Sequence, residues 1–221
     1  MIRALFSAED PAVAVITVFS YLVILLIVFP IHECAHAFMA KFLGDHTAEE
    51  QGRITLNPLA HLDPVGTIGI LLFGVGWAKP VPVQPYRARK VSMRAAMALT
   101  AAAGPLANIV LSLVAMIIGK LIFVFGADTQ VTAYLTMAMF MIVEISLYNG
   151  VFNLLPIPPF DGSRVFFSFL PNKIYFGIMK YERYIMYGML FLFYTGILSL
   201  PFGFISNAIY AGLDFITGFI C

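Results

Sequence analysis

One short string in this sequence has residue types and spacing suited to hydrolytic chemistry: His32-Glu33-Cys34-Ala35-His36. It reads H-E-x-x-H. On a helix turning about 100° per residue, the two histidines stand one turn apart and only about 40° apart around the axis. Both imidazoles can therefore reach one zinc ion. Glu33 is next to the ligands in sequence but rotated off their line, so its carboxylate can face the water that a catalytic zinc carries, which is the position of a general base. Cys34 lies about 200° from His32 and reads as a small packing residue rather than a ligand.

A catalytic zinc usually keeps three protein ligands and one open position. The best candidate for the third is Asp161, in Asn153-Leu-Leu-Pro156-Ile-Pro158-Pro159-Phe-Asp161-Gly162, where prolines end a helix and a carboxylate follows. A helix stop plus turn is the competing reading of that string, and pairing with the histidine motif favours the ligand. Asp63 and His61 are the next candidates, although His61 reads first as a hydrogen-bonded loop histidine. His46, beside Asp45, reads as a solvent residue.

The elements that position these groups have to be largely unsolvated by water. Of 221 residues, 61% are hydrophobic and 11% charged, against roughly 45–50% apolar and about 25% charged in an ordinary soluble domain. Mean hydropathy is +0.91. Several apolar runs reach the roughly 20 helical residues needed to cross about 30 Å of hydrocarbon. The first runs from about Pro11 to Leu43, and Pro30 predicts a kink in it because proline removes a helical hydrogen bond. Arg3 and the small residues around His36 imitate a signal peptide, but the run exceeds a usual h-region and cleavage would sever the metal motif, so this helix is expected to stay.

From Gly44 to Arg94, Gly, Pro and charge become frequent, and extended pieces are expected around Arg53–Leu56 and Val81–Pro85. Within that region Val65–Trp77 is apolar but too short and Gly-rich to span, which fits a re-entrant or interfacial segment. Two clean spans follow, about Ala95–Leu121 and Val131–Leu155, around a turn at Gly126–Thr129. A polar loop from Pro156 to Arg183 leads to an apolar tail that Pro201 and Gly203 divide into two spans. Glu144, near the middle of the third span, should face protein or water rather than lipid. It lies about 180° round the helix from Asn153.

Charge sets orientation. Lys41, Arg53, Lys79, Arg87, Arg89, Lys90 and Arg94 follow the first span, Lys120 alone precedes the Asp128 turn, and Arg164, Lys173, Lys180 and Arg183 follow the third span. Basic loops stay cytoplasmic, so the N-terminus is expected outside and the histidine end of the helix on the cytoplasmic side. A net charge of +1 offers no basic surface for nucleic acid. The two cysteines, Cys34 and Cys221, do not suggest a disulfide framework. These features together predict an all-α membrane protein with about five transmembrane helices, plus a re-entrant, extended or small β segment around residues 44–94. It reads as a single membrane domain over 1–221, with a core at about 12–165 and a helical hairpin at about 184–220.

The H-E-x-x-H string, Gly104-Pro105-Leu106-Ala107-Asn108 and the Asn153–Gly162 string occur in the order of the site-2 protease family, and the chain resembles a short member without a PDZ domain. Leu56–Pro64 and Gly76–Pro82 also look like family sequence, so the similarity covers roughly residues 30–165. The resemblance implies an intramembrane zinc metalloprotease with one Zn2+ per chain held by His32, His36 and Asp161. It further implies that Glu33 activates water, that Asn108 and Asn153 line the substrate cleft, and that membrane-spanning proteins are cleaved near or within the lipid bilayer, commonly after another protease has trimmed them. The rivals are a non-cleaving helix binder, which would have no need of Glu33, and a metal or ion transporter, which would show internal repeats.

Overall fold

The computed structural model describes residues 11–73, 76–195 and 199–221. The chain divides into two compact units, one ending at Val91 and the other beginning at Ser92.

The first unit opens with helix α1 (Pro11–Val23), a π-helical turn (Ile24–Val28) and helix α2 (Phe29–Leu43). Val15–Leu43 of this run is long and apolar enough to cross a membrane. The irregularity expected at Pro30 lies one turn earlier. A proline ring clashes with the carbonyl four residues back, here Leu26, and the wider π turn makes room by letting the Phe29 N–H bond to the Ile24 carbonyl. Helix α2 ends at Gly44, whose φ of 103° only glycine adopts without strain. A Cβ there would also lie 3.1 Å from the Arg89 nitrogen.

After Thr47–Glu50 (α3) comes a 3-10 turn at Pro58–Ala60, begun by Asn57, whose side chain accepts from the Leu59 N–H. The apolar segment forms helix α4 (Pro64–Phe73). Asp63 caps it, accepting from the Gly66 N–H at 2.8 Å. Ten helical residues extend about 15 Å, half of what a crossing needs. The chain returns against its own first turn, where a Cβ on Gly66 would collide with the Trp77 carbonyl oxygen and one on Gly76 with the Gly66 carbonyl oxygen. Among the described residues there is no sheet, only an isolated bridge between Leu62 and Ala78. Prolines at 80, 82 and 85 remove the donors that would have extended it.

The second unit is built on helix α5 (Met93–Phe125) and helix α6 (Gln130–Asn153), both long and apolar enough to span. Ser92 caps α5 and Thr129 caps α6, each accepting from the N–H three residues on. The two helices approach closely through small residues, as membrane helices do. Buried Ser112 donates to the Asn108 carbonyl at 3.0 Å and the Val143 carbonyl at 3.1 Å, while Ser146 donates to the Asn108 carbonyl at 2.9 Å. Large apolar side chains such as Val110, Phe123 and Tyr134 point outward.

Helices α7 (Asp161–Phe167), α8 (Asn172–Met179), α9 (Glu182–Tyr194) and α10 (Ser199–Ile216) complete the unit. The tail expected to divide at Pro201 and Gly203 does so earlier: Pro201 sits in the first turn of α10, where its missing N–H leaves no helical bond unmade.

Gly150 is the tightest test of the α5–α6 contact, because a Cβ there would lie 3.0 Å from the Pro105 carbonyl oxygen and 3.3 Å from the Asn108 Cβ. Gly150→Val should cost about 1–3 kcal/mol by overpacking, read as a lower thermal midpoint in detergent. Gly177→Val, with nothing within 4 Å of the new Cβ, should leave the midpoint in place. An unchanged midpoint in Gly150→Val would show that the two helices do not pack this way.

Candidate metal centre

Helix α2 presents His32 and His36 one turn apart on its buried side. Their Nε2 atoms converge to 3.0 Å. The rings meet edge to face, with centroids 4.6 Å apart and planes at 86°. Zinc–nitrogen bonds of about 2.0–2.1 Å can bridge such a separation, so this donor pair fits a zinc ion.

Glu33 is half-buried beside the pair. Its Oε2 accepts a hydrogen bond from the Val81 N–H at 3.1 Å. Neighbouring groups brace this arrangement. Buried Arg53 donates through Nη2 to the Lys79 carbonyl, and the Lys79 N–H donates to the His61 carbonyl at 2.7 Å. Burial pushes the Arg53 guanidinium below its ordinary value, with the Glu33 charge opposing that shift. His61 is fully buried and its Nε2 lies 2.7 Å from the Thr55 carbonyl oxygen. It is a loop-bracing histidine, and Asp63 is occupied as a helix cap. His46 is bonded to Glu49 at 2.7 Å on the surface. Cys34 is a free thiol.

In the second unit, Asp161 is the first residue of α7. Its neighbour Gly162 fixes that position, because a Cβ there would collide with the Leu154 carbonyl oxygen at the end of α6. Phe160 stacks edge to face on Phe152, with centroids 4.2 Å apart. Asn108 is fully buried between α5 and α6. Asn153 ends α6 and donates through Nδ2 to the Asn149 carbonyl at 2.9 Å. Glu144 lines a groove with Tyr148, Ser206, Asn207 and Tyr210. Sequence reasoning missed Val81 and Arg53. The one available signal was Pro80-Val81-Pro82, which leaves Val81 the sole backbone donor in the tripeptide.

Fold and site together define a helical membrane protein with a zincin-type histidine pair and an adjacent carboxylate. Residues 121–195 match the sequence profile of Peptidase family M50. The chain is 40% identical over 178 residues to "Putative zinc metalloprotease YwhC" of Bacillus subtilis, covering 79% of this chain and 80% of the relative. It is 32% identical over 140 residues to "Putative zinc metalloprotease Rip2" of Mycolicibacterium smegmatis and 29% identical over 134 residues to Rip2 of Mycobacterium tuberculosis. Each Rip2 match covers 60% of this chain and 50% of the relative. No solved structure matches the chain. The chain belongs to peptidase family M50, the site-2 protease family of membrane zinc metalloproteases.

Removing either imidazole should cost more zinc affinity than the about 10–100-fold typical of losing a ligand's supporting partner. Elemental analysis of purified His32→Ala and His36→Ala is expected to find little zinc, against about one ion per wild-type chain. Full occupancy in either variant would rule out the pair as ligands.

Proposed function

We propose that this protein hydrolyses peptide bonds of membrane-spanning proteins, with one zinc held by His32, His36 and Asp161 and with Glu33 as general base. The observation that carries the reading is the convergence of the two Nε2 atoms, with Glu33 beside them, on a helix long and apolar enough to cross a membrane. Each ionisable group in lipid costs about 2.5–3.5 kcal/mol on insertion scales, so an unused set would be a burden.

Zinc, when bound, supplies a Lewis acid that polarises the scissile carbonyl and acidifies water. Glu33 takes a proton from the attacking water and returns it to the leaving amine. Asp161 completes the ligand set as the carboxylate, and Gly162 keeps it at the start of α7. Asn108 and Asn153 belong to the substrate cleft, a role carried over from the family motifs. In this reading the whole chain is one membrane domain, the apolar tail at about 184–220 forms a helical hairpin, and the site opens toward the cytoplasmic side of the cell membrane. Substrates arrive there in regulated intramembrane proteolysis.

The topology is testable by cysteine labelling in a Cys34→Ser, Cys221→Ser background. Cysteines at positions 87 and 173 should label only after permeabilisation, and one at 128 in intact cells. External labelling at 87 would invert the orientation.

The chemistry is tested by turnover of a membrane-embedded reporter in reconstituted bilayers, with zinc content measured alongside. Glu33→Gln should keep zinc while cleavage falls at least about a hundredfold, within the range general bases contribute. Asp161→Ala should lose both, and Asp161→Asn should lose less zinc because an oxygen ligand remains. Wild-type turnover in Glu33→Gln would refute the peptidase mechanism, and full zinc in Asp161→Ala would refute the third ligand.

A further inference from the structure

The run Lys79-Pro80-Val81-Pro82-Val83-Gln84 forms a strap in the first unit that is neither helix nor strand and leads into a 3-10 turn at Pro85–Arg87. Proline has no N–H, so between Lys79 and Val83 the strap has one backbone donor, that of Val81. It does not go to another backbone carbonyl, as in a sheet or turn. It goes to Oε2 of Glu33, 48 residues away in sequence, at 3.1 Å.

The strap is pinned on both sides of that bond. Ahead of it, the Lys79 N–H donates to the His61 carbonyl at 2.7 Å and the Lys79 carbonyl accepts from Arg53. Beyond it, the Gln84 N–H donates to the Asp45 carboxylate. Asp45 is buried and held in turn by the Thr47 N–H at 3.0 Å and by the Thr47 hydroxyl. The Val81 amide is therefore a fixed point set against a side chain with three rotatable bonds.

We propose that the backbone N–H of Val81 is a positioning group for the reaction: it holds one carboxylate oxygen of Glu33 so that the other is presented to water. This inference rests on the protease reading. A carboxylate has two oxygens and about four acceptor sites, so one bond to the strap leaves the base free to work. Charge-assisted N–H to carboxylate bonds are stronger and more directional than neutral ones. Arg53 acts one step further out, by fixing the Lys79 carbonyl.

The test is Val81→Pro, which removes the donor and gives three consecutive prolines in a segment whose prolines already favour an extended backbone. Turnover per enzyme should fall about 10- to 100-fold, the scale of a misplaced catalytic group, with KM and zinc content unchanged. Val81→Ala keeps the N–H and is the conservative variant expected to restore turnover. In a Glu33→Gln background, Val81→Pro should cause no further loss, because the group acts only through Glu33. Turnover in Val81→Pro equal to that of Val81→Ala, or an added loss in the Glu33→Gln background, would overturn the inference. Should Val81→Pro fail to fold, amide hydrogen exchange decides: Glu33→Ala should speed exchange at Val81 at least about tenfold, and unchanged exchange would sink the idea. If the wild-type protein cleaves no reporter, the protease reading fails, whereas full cleavage by Val81→Pro with an inactive Glu33→Gln removes only this inference.

Discussion

Hydrocarbon offers no hydrogen bonds, so a polar group carried into it must find its partner within the protein. That constraint shapes the helices that carry the chemistry. Helix α2 takes two imidazoles and a carboxylate along an apolar run, and each is engaged: the imidazoles face each other at 3.0 Å and Glu33 receives the Val81 amide. The same rule governs α5 and α6, where Ser112 and Ser146 spend their hydroxyls on carbonyls of their own or the facing helix. Small side chains make this possible, because they let backbones approach until a hydroxyl can reach across. Gly150 against the Pro105 carbonyl is the closest such approach at the Asn108 end of the pair.

The loop region of the first unit solves a different problem, holding an irregular chain still without a sheet. Its means are local and charged. Asp45 accepts from Thr47 and Gln84, while Arg87 bonds Thr47 and makes a two-point contact with Glu50 at 2.7 and 3.0 Å. The Arg87–Glu50 pair is exposed, where ion pairs contribute little, so the buried Asp45 and Arg53 contacts carry more of the ordering. Arg53 is buried with its Nε lacking a hydrogen-bond partner among the described residues. Such a site is costly unless the fold needs the bond it does make, to the Lys79 carbonyl.

Features with a local cause were legible in the sequence. H-E-x-x-H placed two imidazoles on one face because helical periodicity alone decides it, and the three long apolar runs became helices within a few residues of their expected ends. What depended on contacts distant in sequence was not legible. The segment expected to be extended over 81–85 has no strand and runs into a 3-10 turn at Pro85, and its partner proved to be a glutamate side chain, since nothing local to Pro80-Val81-Pro82 names Glu33. The π turn lay upstream of Pro30 because proline acts on a carbonyl four residues back. Pro201 was read as a break, but a proline near a helix start and one inside it look alike until the start is known. Asp161 was chosen from prolines and a carboxylate. The role of Gly162, making room for the Leu154 carbonyl, needed the backbone.

The strap also explains why a neutral amide, and not the nearby guanidinium, contacts Glu33. A direct ion pair stabilises a carboxylate in its charged form and so opposes the protonation a general base must undergo. The Glu33 charge acts on Arg53, but the hydrogen bond of Arg53 goes to the Lys79 carbonyl. The cation thus orders the strap, and the strap orders the carboxylate through a group that carries no net charge. Two prolines flanking the donor keep that segment extended, since proline fixes its own φ and restricts the residue before it. They also deny the neighbouring positions any N–H with which to compete. A strap with donors at every residue could slip its register onto another acceptor. One in which prolines leave the Val81 N–H without a donor on either neighbouring residue, between ends pinned at Lys79 and Gln84, is held to one register, and that is how an irregular loop can supply the precision ordinarily expected of a helix or a sheet.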